Sequence, residues 1–378
     1  MRIIRPRPDV AGLDRPGVVQ VIDSLTMGGA EKVAVDLANC MPRANWRSWI
    51  CATRASGALA ASILPHVGQL HPGRRSTFDT AALSAFSRFL RQERISIVHA
   101  HSSSLFFGTA AALLTPGVSV IWHDHFGRFG IEERSPWPYK IAFWKASAAI
   151  GVTQALTGWA RTRIGLREDR ARFIPNFAVE PGPTDPASDL PGPAGKRIVM
   201  VGNLRPQKNH RFVIETMSQV AAAEPDAVLL FVGTGPDEAY TASLHELRDR
   251  LGLREKVHFL GLRTDIHAIL LACDLAVLGS SSEGLPIALL EYGMAGRAAV
   301  STDVGQCADV LDRGQCGVLV PPGDPVRFAE AIVRLLRAPE ERGEFGRRLY
   351  NRIQKHYSQA AVMEEIISLY GSVSRRQS

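Results

Sequence analysis

Two glutamates eight positions apart, Glu283 and Glu291, lie in the stretch GSSSEGLPIALLEYGMAG, residues 279–296. Three serines precede the first carboxylate. Gly284, Leu285 and Pro286 follow it, and an apolar run through Met294 carries the second. The stretch comes directly after DLAVLGS, an apolar run of strand length. Strand, tight turn and helix in that order leave backbone N–H groups at the helix start, which bind anions, phosphates above all. Pro286 suits the first helical position, where its missing N–H costs nothing. Gly284 is free to take backbone shapes barred to other residues. Eight helical residues at about 1.5 Å each put Glu291 up to about 12 Å from Glu283. A nucleotide sugar fits that span, with its sugar at Glu283, its diphosphate on the turn amides and its ribose at Glu291. Taken alone the pair is weak evidence, because a capping serine and an exposed glutamate are common at helix starts.

Other residues add context. Gly202, Asn203, Arg205 and Lys208 lie just past the apolar run RIVMV. Two fixed cations there suit a diphosphate, whose oxygens take charge-assisted hydrogen bonds. Gly28 and Gly29 also follow a strand pattern and open a helix, a phosphate approach point although a lone glycine pair is a weak signal. ISIVHAHS ends in His99 and His101, and SVIWHDH ends in His123, Asp124 and His125. Two strands finishing in histidine at one sheet edge point to a ligand-binding end. No metal cage is expected, because these residues lack ligand spacing with a third member. There is no Asp-x-Asp pair for a diphosphate-bound divalent cation. A metal-free mechanism is therefore expected, with Lys, Arg and helix amides holding the negative charge.

The elements that must position these residues alternate along the chain. Strand-like runs at 18–25, 47–54, 95–102, 119–125, 148–154 and 171–176 are separated by helical patterns. Residues 178–196 are then dense in Pro, Gly and Asp, which reads as a linker or boundary loop. Alternation resumes with runs at 197–204, 227–233, 256–261, 274–280, 298–303 and 317–321. Short apolar strands between helices imply parallel sheets covered on both faces, with ligands beyond the carboxyl ends of the strands. The expected organisation is α/β with two doubly wound Rossmann-like domains. It comprises a flexible extension 1–17, a first domain 18–178, a linker 179–196, a second domain 197–355 and a terminal helix 356–378.

Length and composition agree. The chain has 378 residues and 46% hydrophobic content, enough for two cores. No apolar run approaches a membrane span, and the basic start lacks the apolar core of a secretory signal. Five cysteines lack ligand spacing, and Cys40, Cys51 and Cys273, in apolar surroundings, read as reduced core residues, which suggests the cytosol. The net charge of +7 is uneven: residues 1–178 carry 22 Lys and Arg against 12 Asp and Glu. The first half is thus the candidate for an anionic partner such as a membrane surface. Scattered arginines with few interleaved aromatics argue against nucleic acid.

With these residues placed, the chain resembles the family 4 glycosyltransferases of the GT-B fold from about residue 18 onward. The similarity rests on MGGAEKVAVDLA, WHDHFG, IPN, VGNLRPQKNH, FVGTGPD, VHFLG, the 279–296 block, and VGQCADVL followed by GVLVPPGD, in that order. The resemblance implies a retaining, metal-independent transfer from a UDP- or GDP-sugar, with no cofactor. The acceptor would be the hydroxyl of a lipid-linked or cell-surface glycan at the inner face of the cell membrane. It also implies that the first domain is the acceptor side, that the second binds the nucleotide sugar and that the terminal helix packs back on the first. Glu283 would contact the donor sugar and Glu291 the ribose. The amides of Gly284 and Leu285 would hold the diphosphate with Lys208 and an arginine, Pro286 would line the donor site beside them, Gly28 and Gly29 would close on the phosphate, and His123 would lie near the sugar or acceptor. Where the family often has arginine after the motif glycine, this chain has Asn203, so Arg205 would supply the guanidinium. Ala308 and Asp309 replace the usual proline and glutamate, and Phe177 replaces the glycine after Asn176. Two other readings share these features: a nucleotide-sugar epimerase, which needs no acceptor, and a non-catalytic subunit that binds a nucleotide sugar or a membrane.

Overall fold

The computed structural model describes residues 2–6, 15–76, 79–127, 133–235 and 237–375. The chain divides into two compact units, residues 1–176 with 362–378, and residues 177–361.

Among the described residues the first unit has eight strands: β1 (Arg2–Ile4), β2 (Gly17–Ser24), β3 (Arg47–Ala55), β4 (Gly68–His71), β5 (Ile95–His101), β6 (Ser119–Asp124), β7 (Ala148–Gly151) and β8 (Ala171–Phe173). Their spatial order is β1-β4-β3-β2-β5-β6-β7-β8. Every pairing is parallel except β1 with β4. The apolar runs of β2, β5 and β6 are buried almost throughout, as a sheet covered on both faces requires. The helix Thr80–Gln92 starts where Asp79 accepts a hydrogen bond from the Ala82 amide. It lays Phe86 and Phe89 into a core with Trp49, Phe107 and Trp122. Arg2–Ile4 fall within the stretch expected to be loose, yet they form an exposed edge strand, with Ile3 paired to Leu70. Residues 7–14 of that stretch lie outside the described residues.

The second unit has six parallel strands: β9 (Arg197–Val201), β10 (Val228–Val232), β11 (Val257–Phe259), β12 (Leu275–Leu278), β13 (Ala299–Thr302) and β14 (Val318–Val320). Their order is β11-β10-β9-β12-β13-β14. The chain winds outward from β9 in one direction, then from β12 in the other, so a topological switch point lies between β9 and β12. That is where ligands bind in such sheets. The two strands pair only at Leu275 with Ile198 and Ala276 with Val199. Beyond those pairs, the buried Tyr292 hydroxyl bridges them, accepting from the Val201 amide at 2.8 Å and donating to the Val277 carbonyl at 3.1 Å.

The expected linker is laid against the second unit. Arg197 donates to the carbonyls of Leu190, Pro191 and Gly192, and the Ala187 amide donates to the Ala268 carbonyl. All five cysteines are buried and free. No helix among the described residues is long and apolar enough to cross a membrane.

Candidate active site

The residues singled out around Glu283 converge at the switch point of the second unit. Chain leaving β9 makes a 3-10 turn, Pro206–Lys208, and chain leaving β12 makes the loop that carries Glu283. The Lys208 Nζ donates to Glu283 Oε1 at 2.7 Å, and Ser280 Oγ donates to the same oxygen at 2.6 Å. Glu283 is nearly buried, with 9% of its side chain exposed, against 26% for Lys208. A carboxylate so placed is held by one fixed charge and one fixed hydroxyl. The loop is tied down in turn. Thr302 Oγ1, at the end of β13, donates to the Ser280 carbonyl at 2.6 Å, and the Ser281 amide donates to the Gln207 carbonyl at 2.8 Å.

Gly305 closes on this loop from the other side. Its φ is 54°, and a Cβ there would lie 2.0 Å from the Glu283 carbonyl oxygen. Only glycine permits that approach in that conformation. The helix after the loop runs Ile287–Met294, so Pro286 stands at the cap position rather than at the first helical residue. Glu291 is half-buried on that helix. Asn203 is half-buried beyond β9. Arg205 is exposed, and its side chain makes no hydrogen bond or ion pair among the described residues.

The first unit has its own polar cluster. Gly28 caps the helix Gly29–Cys40 in extended conformation, half-buried beside the exposed Gly29. Before it, Asp23 near the end of β2 accepts from Thr53 at 2.7 Å, Arg74 at 2.5 Å and Ser103 at 2.9 Å. Burial pushes the Asp23 carboxyl up, but Thr53, Arg74, Ser103 and Arg54 outweigh it and hold the group below the usual range.

The ends of β5 and β6 meet as the histidine pattern implied. His99 Nε2 lies 3.0 Å from His123 Nδ1, and His101 Nδ1 lies 3.0 Å from His125 Nε2. His99, His101 and His123 are fully buried. Burial above all drives His99 and His125 down to about 3, and burial plus neighbouring imidazoles drive His101 and His123 well below the ordinary value. These rings are therefore neutral at physiological pH. The expectation that no three ligands could gather is corrected here: nitrogens of His99, His101 and His123 lie within 4.8 Å of one another. Parallel strand register, invisible in the spacing, brings them together, since His101 pairs with His123 across β5 and β6. His99 and His101 use both ring nitrogens in hydrogen bonds to protein groups, and their rings stack at 6° instead of converging on a point. Beside the cluster, the buried Asp124 pairs with Arg134, whose guanidinium lies over Trp159 at 3.9 Å.

Sequence reading noted Ser280 only as one of three serines before Glu283 and missed Tyr292, Thr302 and Gly305 around it. Only Ser280, in a serine run beside the carboxylate, carried a usable signal. It also missed Gln20 and Tyr370, which touch the histidine cluster from 350 positions apart.

Known family models match both halves of the chain. The model of glycosyltransferase family 4 matches residues 27–178, and that of the group 1 glycosyl transferases matches residues 195–338. The chain belongs to the family 4 glycosyltransferases. This glycosyltransferase is similar to an exopolysaccharide phosphotransferase of Streptomyces coelicolor, 30% identical over 273 residues, covering 71% of this chain and 28% of that one. It is also similar to N-acetyl-alpha-D-glucosaminyl L-malate synthase of Bacillus anthracis, 27% identical over 180 residues, covering 48% of this chain and 46% of that one. The chain thus spans less than half the length of either relative. Among solved structures, Anabaena HepE in complex with UDP and glucose is similar over 94% of this chain and 100% of that one, with a TM-score of 0.77 and 19% identity. That likeness shows the fold of this glycosyltransferase to be GT-B.

Proposed function

We propose that this glycosyltransferase moves a sugar, with retention, from a nucleoside diphosphate donor to a hydroxyl of a lipid-linked or cell-surface glycan, without a metal. The observation that carries the reading is the pairing of Lys208 with Glu283 at the switch point between β9 and β12. In this reading Glu283 takes the hydroxyls of the donor sugar. Lys208 is then free to turn to the diphosphate, with Arg205, Asn203 and the turn at Gly284, Leu285 and Pro286. Glu291 takes the ribose. Gly28, Gly29 and His123 are the candidates of the first unit for substrate contact.

In this mechanism the bond from the sugar carbon to the leaving diphosphate loosens first. Lys208 and Arg205 stabilise the charge that builds on the departing oxygen. The acceptor hydroxyl enters from the same face and passes its proton to that oxygen, so no side chain acts as nucleophile. HepE, solved with UDP and glucose, favours a UDP-sugar over a GDP-sugar. A thermal-shift screen of UDP, GDP, ADP and their sugars tests the donor class. UDP at a hundred times its dissociation constant stabilises by about 2.7 kcal/mol, a rise of a few degrees. No shift with any nucleoside diphosphate would sink the reading. Release of an isomerised free sugar without an acceptor would instead favour an epimerase, and loss of turnover on chelation would remove the metal-free assignment.

A surface of the first unit supports work at a membrane. Trp137, Ile141 and Trp144 are 68%, 59% and 88% exposed, and the Lys140 ammonium lies 5.2 Å over the Trp137 ring. Tryptophans flanked by lysines suit the interface of an anionic bilayer. Sedimentation with phosphatidylglycerol vesicles is expected at low and moderate salt, and Trp144→Ser weakens it. Absence of binding at both salts would remove the membrane from the account.

A further inference from the structure

The buried polar cluster of the first unit is joined into one directed chain by two residues outside the family motifs. Gln20 lies in the middle of β2 and is fully buried. Its Nε2 donates to the Tyr370 hydroxyl at 3.3 Å, and its Oε1 lies 3.0 Å from His101 Nε2. Tyr370, fully buried on the terminal helix Gln359–Arg375, places that hydroxyl 2.6 Å from His99 Nδ1. Trp46 packs edge-on against the Tyr370 ring at 5.2 Å and fixes its place.

Donor and acceptor roles then follow one from another. An amide oxygen only accepts, so His101 carries its proton on Nε2. The neutral His101 therefore accepts at Nδ1, and His125 donates from Nε2. On the other side, Tyr370 accepts from Gln20 and has its own proton for His99 Nδ1. His99 then carries its proton on Nε2 and donates to His123 Nδ1. His123 is left with its proton on Nε2. That nitrogen is buried and has no hydrogen-bond partner among the described residues. Turning the Gln20 amide over would reverse every step and leave His123 Nε2 as a bare lone pair. The direction of the chain is thus set at Gln20 and transmitted by Tyr370.

We infer that Gln20 and Tyr370 are positioning residues that hold His123 as a neutral N–H donor for an oxygen of the substrate, a hydroxyl or a phosphate, and bar it from acting as a base. The assignment of His123 to substrate rests on the function proposed above; the order of the protons does not. The chain is preferred to a metal site because both ring nitrogens of His99 and of His101 are already hydrogen-bonded to protein groups, so a three-histidine centre would have to break bonds within the cluster.

The test is nitrogen NMR on the full chain labelled with 15N-histidine, at neutral pH. The expected result is that His99, His101, His123 and His125 are all neutral with the proton on Nε2. Tyr370→Phe keeps the ring and removes the relay, so the His99 and His123 signals move toward values averaged between the two tautomers. With a productive UDP-sugar, its turnover falls about tenfold, the scale for loss of an orienting partner, while UDP still raises the melting temperature. A wild-type His123 with its proton on Nδ1 overturns the proposal, and so does stoichiometric zinc in the purified protein. Unmoved His99 and His123 signals or unchanged turnover in Tyr370→Phe would overturn the positioning role. The wild-type measurement decides even if the variant does not fold. Tautomers as expected in a protein that binds no nucleotide would instead discard the proposed function and leave the proton order standing.

Discussion

Lys208 and Glu283 pair with each other at 2.7 Å, so a change at either disturbs both. Under the proposed function, Lys208→Ala removes a charge that would meet the leaving diphosphate, and Glu283→Ala removes the group that would hold the donor sugar. Either is expected to lower turnover by about a hundredfold or more, the scale for a lost charge-stabilising donor. Glu283→Ala should move melting little, whereas Lys208→Ala leaves the nearly buried Glu283 carboxylate held by Ser280 and should lower the melting temperature as well. Steady-state kinetics beside a thermal melt checks this, and turnover like wild type in either variant would remove the residue from the mechanism. Arg205→Ala separates a cation recruited by substrate from a solvated surface charge. A fall in turnover without a change in melting supports recruitment.

Among the elements, the loop between β12 and the helix Ile287–Met294 is the most constrained. Gly305→Ala puts a methyl against the Glu283 backbone at a left-handed φ. Neither backbone nor dihedral can yield cheaply, so the variant should lose about 1–3 kcal/mol of stability together with activity. A denaturant melt and a turnover assay on one preparation read both, and wild-type values for both would show that the loop gives way freely. The sheets themselves were largely legible. The runs at 197–204, 227–233 and 274–280 stood out because strands buried on both faces must be apolar throughout. β1 and β4 were not legible: GQLH is short and half polar, and RII is exposed at the edge, so neither needs an apolar run. Around Glu283, the carboxylate, Lys208 and the turn could be read from sequence. Thr302 and Gly305 could not, because their part depends on how β13 lies beside β12. Asn203 and Arg205 show the limit from the other side, since a motif departure does not say which side chain stands in for the missing arginine.

At the scale of the molecule, the buried histidines tie the stability of the first unit to pH. Their pKa values are lowered in the folded state, His99 and His125 to about 3, against about 6.5 in the unfolded chain. Between those values the unfolded chain binds more protons than the native one, so stability falls as pH falls. It is complete above about pH 6.5 and drops toward pH 3, by up to about 1.4 kcal/mol per pH unit for each histidine. Tryptophan fluorescence melts from pH 7 to 4 should show this slope, with Trp122 reporting from the core beside the cluster. A melting temperature flat across that range would mean that the rings are not buried neutral.

The first unit is assembled from residues 1–176 and 362–378, whereas the second is one continuous run. During synthesis, Gln20 leaves the ribosome long before Tyr370, its partner 350 positions on, exists. The first half of the gene product must therefore wait with an open polar core, while the second unit, made later, has all its residues sooner. The order of completion runs against the order of translation. The exposed state that chaperones and proteases meet is the amino-terminal sheet lacking its last helix. A stop codon a few residues short of Tyr370 would be more damaging than its distance from Glu283 suggests.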